Sequence, residues 1–237
     1  MEIKVLFDSL ALDKRFITGW GVSFLVDGRI LFDTGENGNW LMENMMNLNV
    51  DIDEIKAVVI SHDHFDHTGG LWELLKKKEG FVVYGCPDFS REFKVKVKRL
   101  KGNFKEIAKP REIAKDIFVT AQIPGEYAGK FMPEQALAIK TNNGISALTG
   151  CAHPGIIKIL QEIKKILPKD NFYLVSGGFH LMEKERRVCE LTVEGFKELG
   201  IKFAAPTHCT GKEAEEIFRK KYKENFIGVK VGQILKV

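Results

Sequence analysis

The chain has 237 residues, of which 44% are hydrophobic and 29% are charged, and this length suits one domain or two fused halves that share a core. No apolar run approaches the about 20 residues that a membrane-spanning helix needs, and Met1–Asp8 lacks a signal-peptide pattern, which predicts a cytoplasmic protein without a membrane partner. The net charge of +4 is too small to indicate a nucleic-acid partner.

The first recognisable unit is a hairpin followed by a helix and a strand. Two β-rich runs, Val22–Val26 and Arg29–Asp33, flank Asp27-Gly28, and this pattern predicts a hairpin with a tight primed turn. A helical stretch from Trp40 to Leu48 follows. An apolar strand, Ala57–Ile60, then leads to Ser61.

Three of the six histidines come directly after this strand, as His62, His64 and His67, with Asp66 between the last two. Residues i and i+2 of extended backbone point the same way, so His62 and His64 can reach one ion while Asp66 and His67 point to an adjacent position. Imidazole and carboxylate suit zinc, and also iron or manganese. The segment therefore predicts a site for one or two divalent metal ions.

Two features of the middle of the chain carry weaker predictions. Lys and Val alternate in Lys94–Lys101, which predicts a half-exposed strand with a solvated edge; a phosphate-attracting rim is the alternative. Glu134 precedes the second hairpin and is interpreted as a surface turn residue, with a proton carrier as the alternative.

From residue 137 the order of elements repeats. Leu137–Lys140 and Ile145–Leu148 predict a hairpin, and a strand at Phe172–Val175 leads to Ser176. Between them, a helix places its apolar residues on one face: Ile156, Ile157, Leu160, Ile163 and Leu167. The pattern predicts two related ββαβ halves with their sheets face to face and helices outside, which is a four-layer αββα sandwich of the α/β class. Chance similarity of common elements is the alternative.

The C-terminal part predicts a helix over Lys184–Leu199 that ends at Gly200, then a strand over Ile201–Ala205 that breaks at Pro206. Thr210 and Glu213 are spaced as a capping box for a helix over Lys212–Lys223. A last strand is expected over Phe226–Val237.

The remaining histidines, His153, His180 and His208, also follow predicted strands. Ligands on loops at strand ends suit a catalytic metal site with an open coordination position. The scattered cysteines form no CxxC pair and are expected to be reduced thiols. Because Cys151 and Cys209 adjoin His153 and His208 in the sequence, a soft metal ligand there is the alternative.

The segment from His62 to His67 resembles the HxHxDH signature of the metallo-β-lactamase superfamily, and Ile30–Gly35 resembles that family's upstream motif. The resemblance spans nearly the whole chain and implies a single domain over residues 1–237. It implies that one metal ion, zinc before iron or manganese, is held by His62, His64 and His153. A second ion would be held by Asp66, His67 and His208, with Asp33 orienting a ligand histidine.

Three later segments, Leu148–His153, Gly177–Leu181 and Thr207–Gly211, resemble a subgroup typified by dihydropterin–ribofuranosylaminobenzene phosphate synthases. This implies a transferase that releases diphosphate and acts on a small, phosphorylated, pterin-like substrate. The acidic residue that the superfamily usually has at the end of the second-half strand is missing, since this position reads Ser176-Gly177-Gly178. His180 follows, and the sequence predicts a catalytic general acid or base, or a replacement ligand, beside a catalytic Asp66.

Two other functions stay open at this point. A metal-bound hydroxide would make the protein a hydrolase of the phosphodiesterase or nuclease type, although nucleases of the superfamily usually carry an extra clamping domain for which this chain has little room. A non-catalytic metal-binding or redox-carrier protein is the third class. The sequence leaves a homo-oligomer open.

Overall fold

The structure is a computed structural model that describes residues 1–237. The chain forms two compact units, one of Met1–Ala108 with Val229–Lys236 and one of Lys109–Gly228 with Val237. The single domain over the whole chain stays a prediction. No helix combines the length and the apolar character that crossing a membrane requires.

The first unit is built on a seven-stranded sheet. Its strands are β1 (Glu2–Phe7), β2 (Ser23–Val26), β3 (Ile30–Phe32), β4 (Ala57–Val59), β5 (Val82–Gly85), β6 (Asn103–Glu106) and β15 (Ile234–Lys236). Its helices are α1 (Gly38–Asn47), α2 (Phe65–Thr68), α3 (Leu71–Lys77) and α4 (Arg91–Arg99), with a 3-10 turn at Ile52–Glu54. The sheet order is β15-β1-β2-β3-β4-β5-β6.

The predicted first hairpin is confirmed. Strands β2 and β3 pair antiparallel with Phe24 opposite Phe32, and both Asp27 (φ 49°) and Gly28 (φ 69°) have positive φ. This backbone is the primed turn that Asp-Gly favours, and its twist matches that of the two strands.

Helix α1 connects the hairpin to a parallel strand. Asn37 caps the helix, because its side chain accepts hydrogen bonds from the backbone N–H groups of Asn39 and Trp40. Leu41 and Met45 are buried in the core of the first unit. Strand β4 then pairs parallel with β3, so the loop after β4, which carries His62, starts at the same end of the sheet as the loop that carries Asp33.

The prediction of a strand over Lys94–Lys101 is wrong, since its residues up to Arg99 lie in helix α4. Ser90 caps the helix by accepting from the Phe93 N–H, and Phe93 and Val97 are buried one turn apart. Val95 is 55% exposed. The two-residue alternation of Lys and Val was therefore coincidental, and the i, i+4 pair of apolar residues decided the structure.

The second unit is built on a six-stranded sheet of order β14-β13-β12-β11-β8-β7, with a separate two-stranded ribbon β9–β10. The strands are β7 (Arg111–Ala114), β8 (Ile117–Val119), β9 (Glu126–Tyr127), β10 (Lys130–Phe131), β11 (Leu137–Thr141), β12 (Gly144–Thr149), β13 (Phe172–Gly178) and β14 (Phe203–Thr207). The helices are α5 (Ile156–Ile166), α6 (Arg186–Glu198) and α7 (Lys212–Tyr222), with 3-10 turns at His208–Thr210 and Lys223–Asn225.

The internal repeat is present in the structure. Strands β11 and β12 form an antiparallel hairpin, α5 follows, and β13 pairs parallel with β12, which is the order and pairing of β2, β3, α1 and β4 in the first unit. Helix α5 buries Ile156, Ile159, Leu160 and Ile163, so the predicted apolar face is confirmed apart from Ile157, which is half-buried.

Three predictions for the C-terminal part need correction. Pro206 lies inside β14, because β14 is the edge strand, where a missing N–H is tolerated. Thr210 does not form a capping box: its hydroxyl accepts from the Phe179 N–H, and the residue before α7 is Gly211 at φ 79°. The last strand is confined to Ile234–Lys236 and pairs with β1.

The position of α4 can be tested by a pair of valine substitutions. We expect Val97→Ala to lower the free energy of unfolding by about 2 kcal/mol, because the side chain is fully buried. Val95→Ala should change it by less than about 0.5 kcal/mol. Denaturant unfolding measures both. Equal losses would indicate a strand, in which residues 95 and 97 share a face.

Candidate metal centre

Three histidine rings lie against one another in the first unit, at the ends of β4 and α2. The ring centroids of His62 and His64 are 4.8 Å apart, and those of His62 and His67 are 4.2 Å apart. His62 and His67 are fully buried. Because protonated imidazoles at this distance repel one another, the cluster suits neutral rings that bind metal cations.

Asp33 fixes two of these rings. One carboxylate oxygen accepts from the Ser61 N–H at 2.7 Å, and the other accepts from the Ser61 hydroxyl at 2.7 Å and from Nδ1 of His67 at 2.6 Å. Since the Ser61 hydroxyl donates to Asp33, it accepts from Nδ1 of His62 at 2.8 Å. Nε2 is then the nitrogen of both rings that would bind a metal.

The Asp33 carboxylate is fully buried, and burial raises its pKa above the ordinary value of 3.8, against the opposing effects of His67 and Ser61. A cation held by His67 would favour the ionised form of Asp33. The φ of Asp33 is 53°, a left-handed conformation that suits Asp better than most residues.

Asp66 is the fourth predicted ligand in the first unit. It is 6% exposed, and its Oδ2 lies 3.5 Å from Nε2 of His67. Its backbone is closely packed, because a Cβ added at Gly21, whose φ is 104°, would overlap the Asp66 carbonyl. A carboxylate and an imidazole nitrogen are thus held side by side.

In the second unit, Glu134 has the role that Asp33 has in the first. It is 0% exposed, so its interpretation as a surface turn residue is wrong. Its carboxylate accepts from the N–H groups of Cys151, Ala152 and His153 at 2.8–3.0 Å, and from Nδ1 of His153 at 3.0 Å. Nε2 of His153 is then the nitrogen that would bind a metal.

The electrostatics of Glu134 differ from those of Asp33. Burial raises the pKa of this carboxyl group, but the hydrogen bond and charge of His153 and the backbone N–H groups of Ala152 and His153 outweigh burial and hold the pKa below the ordinary value of 4.5. Glu134 is therefore a carboxylate at neutral pH, which argues against the proton-carrier interpretation.

His208 stands beside two thiols in the second unit. Its Nε2 lies 3.3 Å from Sγ of Cys151, and Sγ of Cys209 donates to the Cys151 carbonyl at 3.4 Å. Burial raises the pKa of the Cys209 thiol, but hydrogen bonds with Cys151 and His180 and the charges of His208 and His180 hold it well below its ordinary value. None of the four cysteines forms a disulfide, as the sequence predicts, and the alternative of a soft metal ligand at Cys151 or Cys209 stays a prediction.

His180 and His153 line a cavity of about 620 Å³ in the second unit. Their ring centroids are 4.7 Å apart, and the Tyr127 ring lies 5.3 Å from that of His153 and 5.9 Å from that of His180. Lys158, Lys184, Glu126, Glu183 and apolar side chains of α5 and α6 also line the cavity. The cavity therefore offers an aromatic ring and charged groups of both signs beside the histidines.

The side chains present fit a divalent transition metal. Carboxylate, imidazole and thiol groups are the donors that zinc prefers, and buried carboxylates hold Nδ1 of His67 and His153, which is the usual support of a metal-binding histidine. Asp33, His180 and His208 have φ of 53–54°, and such strained backbone clusters at functional sites.

Sequence reasoning missed the role of Glu134, Ser61 and Tyr127. Ser61 had one usable signal, since it directly precedes His62. Glu134 had only its position before the second hairpin, which did not indicate its contact with His153. Tyr127 had no signal, because it is remote in sequence from the histidines that it contacts.

Comparisons with known proteins support these observations. A family model described as metallo-beta-lactamase superfamily matches residues 21–139. A protein of Methanocaldococcus jannaschii named 7,8-dihydropterin-6-methyl-4-(beta-D-ribofuranosyl)-aminobenzene-5'-phosphate synthase is 28% identical over 275 residues, which cover 97% of this chain and 94% of that protein. The predicted subgroup resemblance is thereby confirmed.

Solved structures give the same fold. Tm1679, described as a metal-dependent hydrolase of the beta-lactamase superfamily, has a TM-score of 0.84 and 30% sequence identity, covering 100% of this chain and 99% of that one. The short form of human tRNase Z has a TM-score of 0.63 at 14% identity, covering 100% and 99%, and shows the fold alone. The predicted α/β class, with two sheets and helices, is confirmed.

The role of Glu134 predicts a pH-dependent effect of Glu134→Gln. We expect the free energy of unfolding at neutral pH to fall on the order of 2 kcal/mol, because three N–H groups and the His153 ring lose a charged acceptor. Since the folded-state pKa lies below 4.5, the wild-type advantage is present above that value and is lost as the pH falls through the folded-state pKa.

Denaturant unfolding of metal-free protein at neutral and acid pH measures this difference. Exposed Glu126→Gln is the matched control and should change stability little at either pH. A Glu134→Gln deficit that stays constant into acid would show that the carboxylate charge does not contribute.

Proposed function

This chain belongs to the metallo-β-lactamase superfamily, and on that basis we propose that it is a metal-dependent enzyme acting on a small phosphorylated substrate of the pterin or arylamine type. The observation that carries the proposal is the pair of buried carboxylate–imidazole bonds, Asp33 with His67 and Glu134 with His153. A metal-binding histidine commonly donates its other ring N–H to a carboxylate, so these two bonds leave Nε2 of His67 and of His153 as the metal-binding nitrogens.

We assign the ligands in two sets. His62, His64 and His153 would hold one ion, and Asp66, His67 and His208 the other, with zinc favoured by the nitrogen-rich donors over iron and manganese. A bound ion would supply Lewis acidity toward a phosphate oxygen or a water molecule.

The cavity of the second unit supports a small-molecule substrate. Its volume of about 620 Å³ lies in the range of about 300–1,000 Å³ that such ligands occupy. The Tyr127 ring offers a stacking surface to a pterin or aryl ring. Lys158 and Lys184 offer positive charge to a phosphate, beside the carboxylates of Glu126 and Glu183. Lys158 is oriented by its hydrogen bond to the Pro124 carbonyl at 2.9 Å.

The transferase reaction needs one bond made, one bond broken and one proton moved. The arylamine nitrogen would form a bond to the pterin methylene carbon while the bond between that carbon and the diphosphate oxygen breaks. The amine would then lose a proton. His180 lines the cavity, and an imidazole ring can both accept and release a proton, so His180 is suited to carry that proton. Asp66 would position the reacting groups beside His67.

The M. jannaschii relative favours the transferase, since its name states that product. A hydrolase is the second candidate, because the 30% identical Tm1679 is described as a metal-dependent hydrolase. Incubating zinc-loaded protein with a dihydropterin methyl diphosphate, with and without the ribosyl arylamine phosphate, separates them. Diphosphate release that requires the arylamine indicates a transferase, and release without it indicates a hydrolase. No turnover of either substrate or of a phosphodiester would refute the enzyme proposal.

His64→Ala tests the ligand assignment. We expect the metal content to fall and turnover to drop by at least about 100-fold, because the ion loses a direct ligand. The matched control is Asp63→Asn, since Asp63 accepts from the Ser90 N–H at 2.8 Å and is assigned to no ion. Elemental analysis after dialysis checks both variants. Normal metal content and turnover in His64→Ala would contradict the assignment.

Tyr127→Ala tests the cavity as the substrate site. Loss of the stacking ring should raise KM about threefold to tenfold, which corresponds to about 0.5–1.5 kcal/mol, with metal content unchanged. Tyr127→Phe keeps the ring and should keep the KM. Steady-state kinetics on both variants provide the measurement, and an unaltered KM in Tyr127→Ala would place substrate binding elsewhere.

A further inference from the structure

Cys151 and His208 hold a thiol and an imidazole nitrogen side by side inside the second unit. Sγ of Cys151 lies 3.3 Å from Nε2 of His208, and the two residues are 5% and 4% exposed. With bonds of about 2.3 Å to sulfur and about 2.0 Å to nitrogen, two ligands of a tetrahedral zinc ion lie about 3.5 Å apart. We propose that Cys151 binds, as a thiolate, the same metal ion as His208.

The end of β13 offers no side-chain ligand to an ion beside His208. Ser176, Gly177 and Gly178 carry no charged donor, and the structure leaves no space for a longer side chain at either glycine. A Cβ at Gly178 would lie 2.5 Å from both Sγ of Cys209 and the Gly150 carbonyl, and a Cβ at Gly177, whose φ is 125°, would overlap the Thr149 carbonyl. A further protein donor on this side can therefore come only from a neighbouring segment, not from β13.

Strand β12 provides this donor. Thr149, its last residue, lies opposite Gly177 in the parallel pairing with β13, and Cys151 follows two residues later. The Cys151 backbone is held from both sides, because its N–H donates to Glu134 at 3.0 Å and its carbonyl accepts from the Cys209 thiol at 3.4 Å. The Cys151 side chain is therefore positioned before a metal arrives, which lowers the cost of binding.

A thiolate ligand has consequences for metal choice. Sulfur selects zinc and other soft ions over magnesium and manganese, so the site would prefer zinc. Binding releases the thiol proton to solvent. The inference rests on the proposed metal-dependent function, in which His208 is a ligand.

Cobalt(II) provides the test, since it replaces zinc and absorbs visible light. Metal-free full-length protein is titrated with Co²⁺ alone. We expect visible ligand-field bands and an intense near-ultraviolet sulfur-to-cobalt charge-transfer band. Cys151→Ser should lose the charge-transfer band and bind Co²⁺ about 10-fold to 100-fold more weakly. Cys151→Asp should keep the ligand-field bands without the charge-transfer band, and Cys189→Ser, a buried thiol on α6, should keep both.

Other results would overturn the inference. Ligand-field bands in the wild type without charge transfer would show that the thiol only hydrogen-bonds to His208, while the metal site itself would stand. A charge-transfer band that survives Cys151→Ser and disappears in Cys209→Ser would assign the other thiol. No Co²⁺ binding by the wild type would refute both the inference and the proposed function. Circular dichroism checks the fold of each variant. If a variant does not fold, the presence or absence of the charge-transfer band in the wild-type cobalt spectrum decides the question.

Discussion

Each compact unit buries a carboxylate against the Nδ1 atom of a histidine, Asp33 with His67 in the first and Glu134 with His153 in the second. Both carboxylates have no exposed surface, and burying such a group is costly unless hydrogen bonds compensate it. Backbone N–H groups of the adjacent loops supply these bonds. The two carboxylates therefore stabilise the conformation of the loops that carry the candidate ligands.

The sheets place these loops. Parallel pairing of β3 with β4 and of β12 with β13 puts the ends of successive strands at one edge of each sheet. Threonines at equivalent places of the repeat support the loops, since the hydroxyl of Thr34 donates to the His67 carbonyl and that of Thr149 to the Gly178 carbonyl. Asp33, His180 and His208 have left-handed backbone conformations. Each such residue costs about 1–3 kcal/mol, and the hydrogen bonds of the surrounding loops offset this cost.

Much of the fold and part of the candidate site could be predicted from sequence because the signals are local. Asp27-Gly28 specifies its turn, and the apolar spacing of Ile156 to Ile163 specifies α5. The segment His62–His67 carries four candidate ligands within one loop and one helical turn. The assignment of residues to individual ions stays a prediction.

The features that could not be predicted depend on contacts between residues that are far apart in the sequence. Glu134 reaches the loop of His153 from the segment before β11, so it does not occupy the repeat position of Asp33, which follows β3. Around Lys94–Lys101, Phe93, Val95 and Val97 fit a two-residue period, and Phe93 and Val97 alone fit a four-residue period. Only packing in the first unit separates buried Val97 from exposed Val95. Pro206 is accommodated because β14 is an edge strand of its sheet.

The central claim is that the oriented imidazoles bind metal through Nε2. X-ray diffraction recorded on both sides of the zinc absorption edge, from crystals grown with zinc, tests it most directly. We expect anomalous peaks at about 2.0–2.1 Å from Nε2 of His62, His67 and His153. Anomalous peaks that occur only at surface residues, with none at these nitrogens, would contradict it.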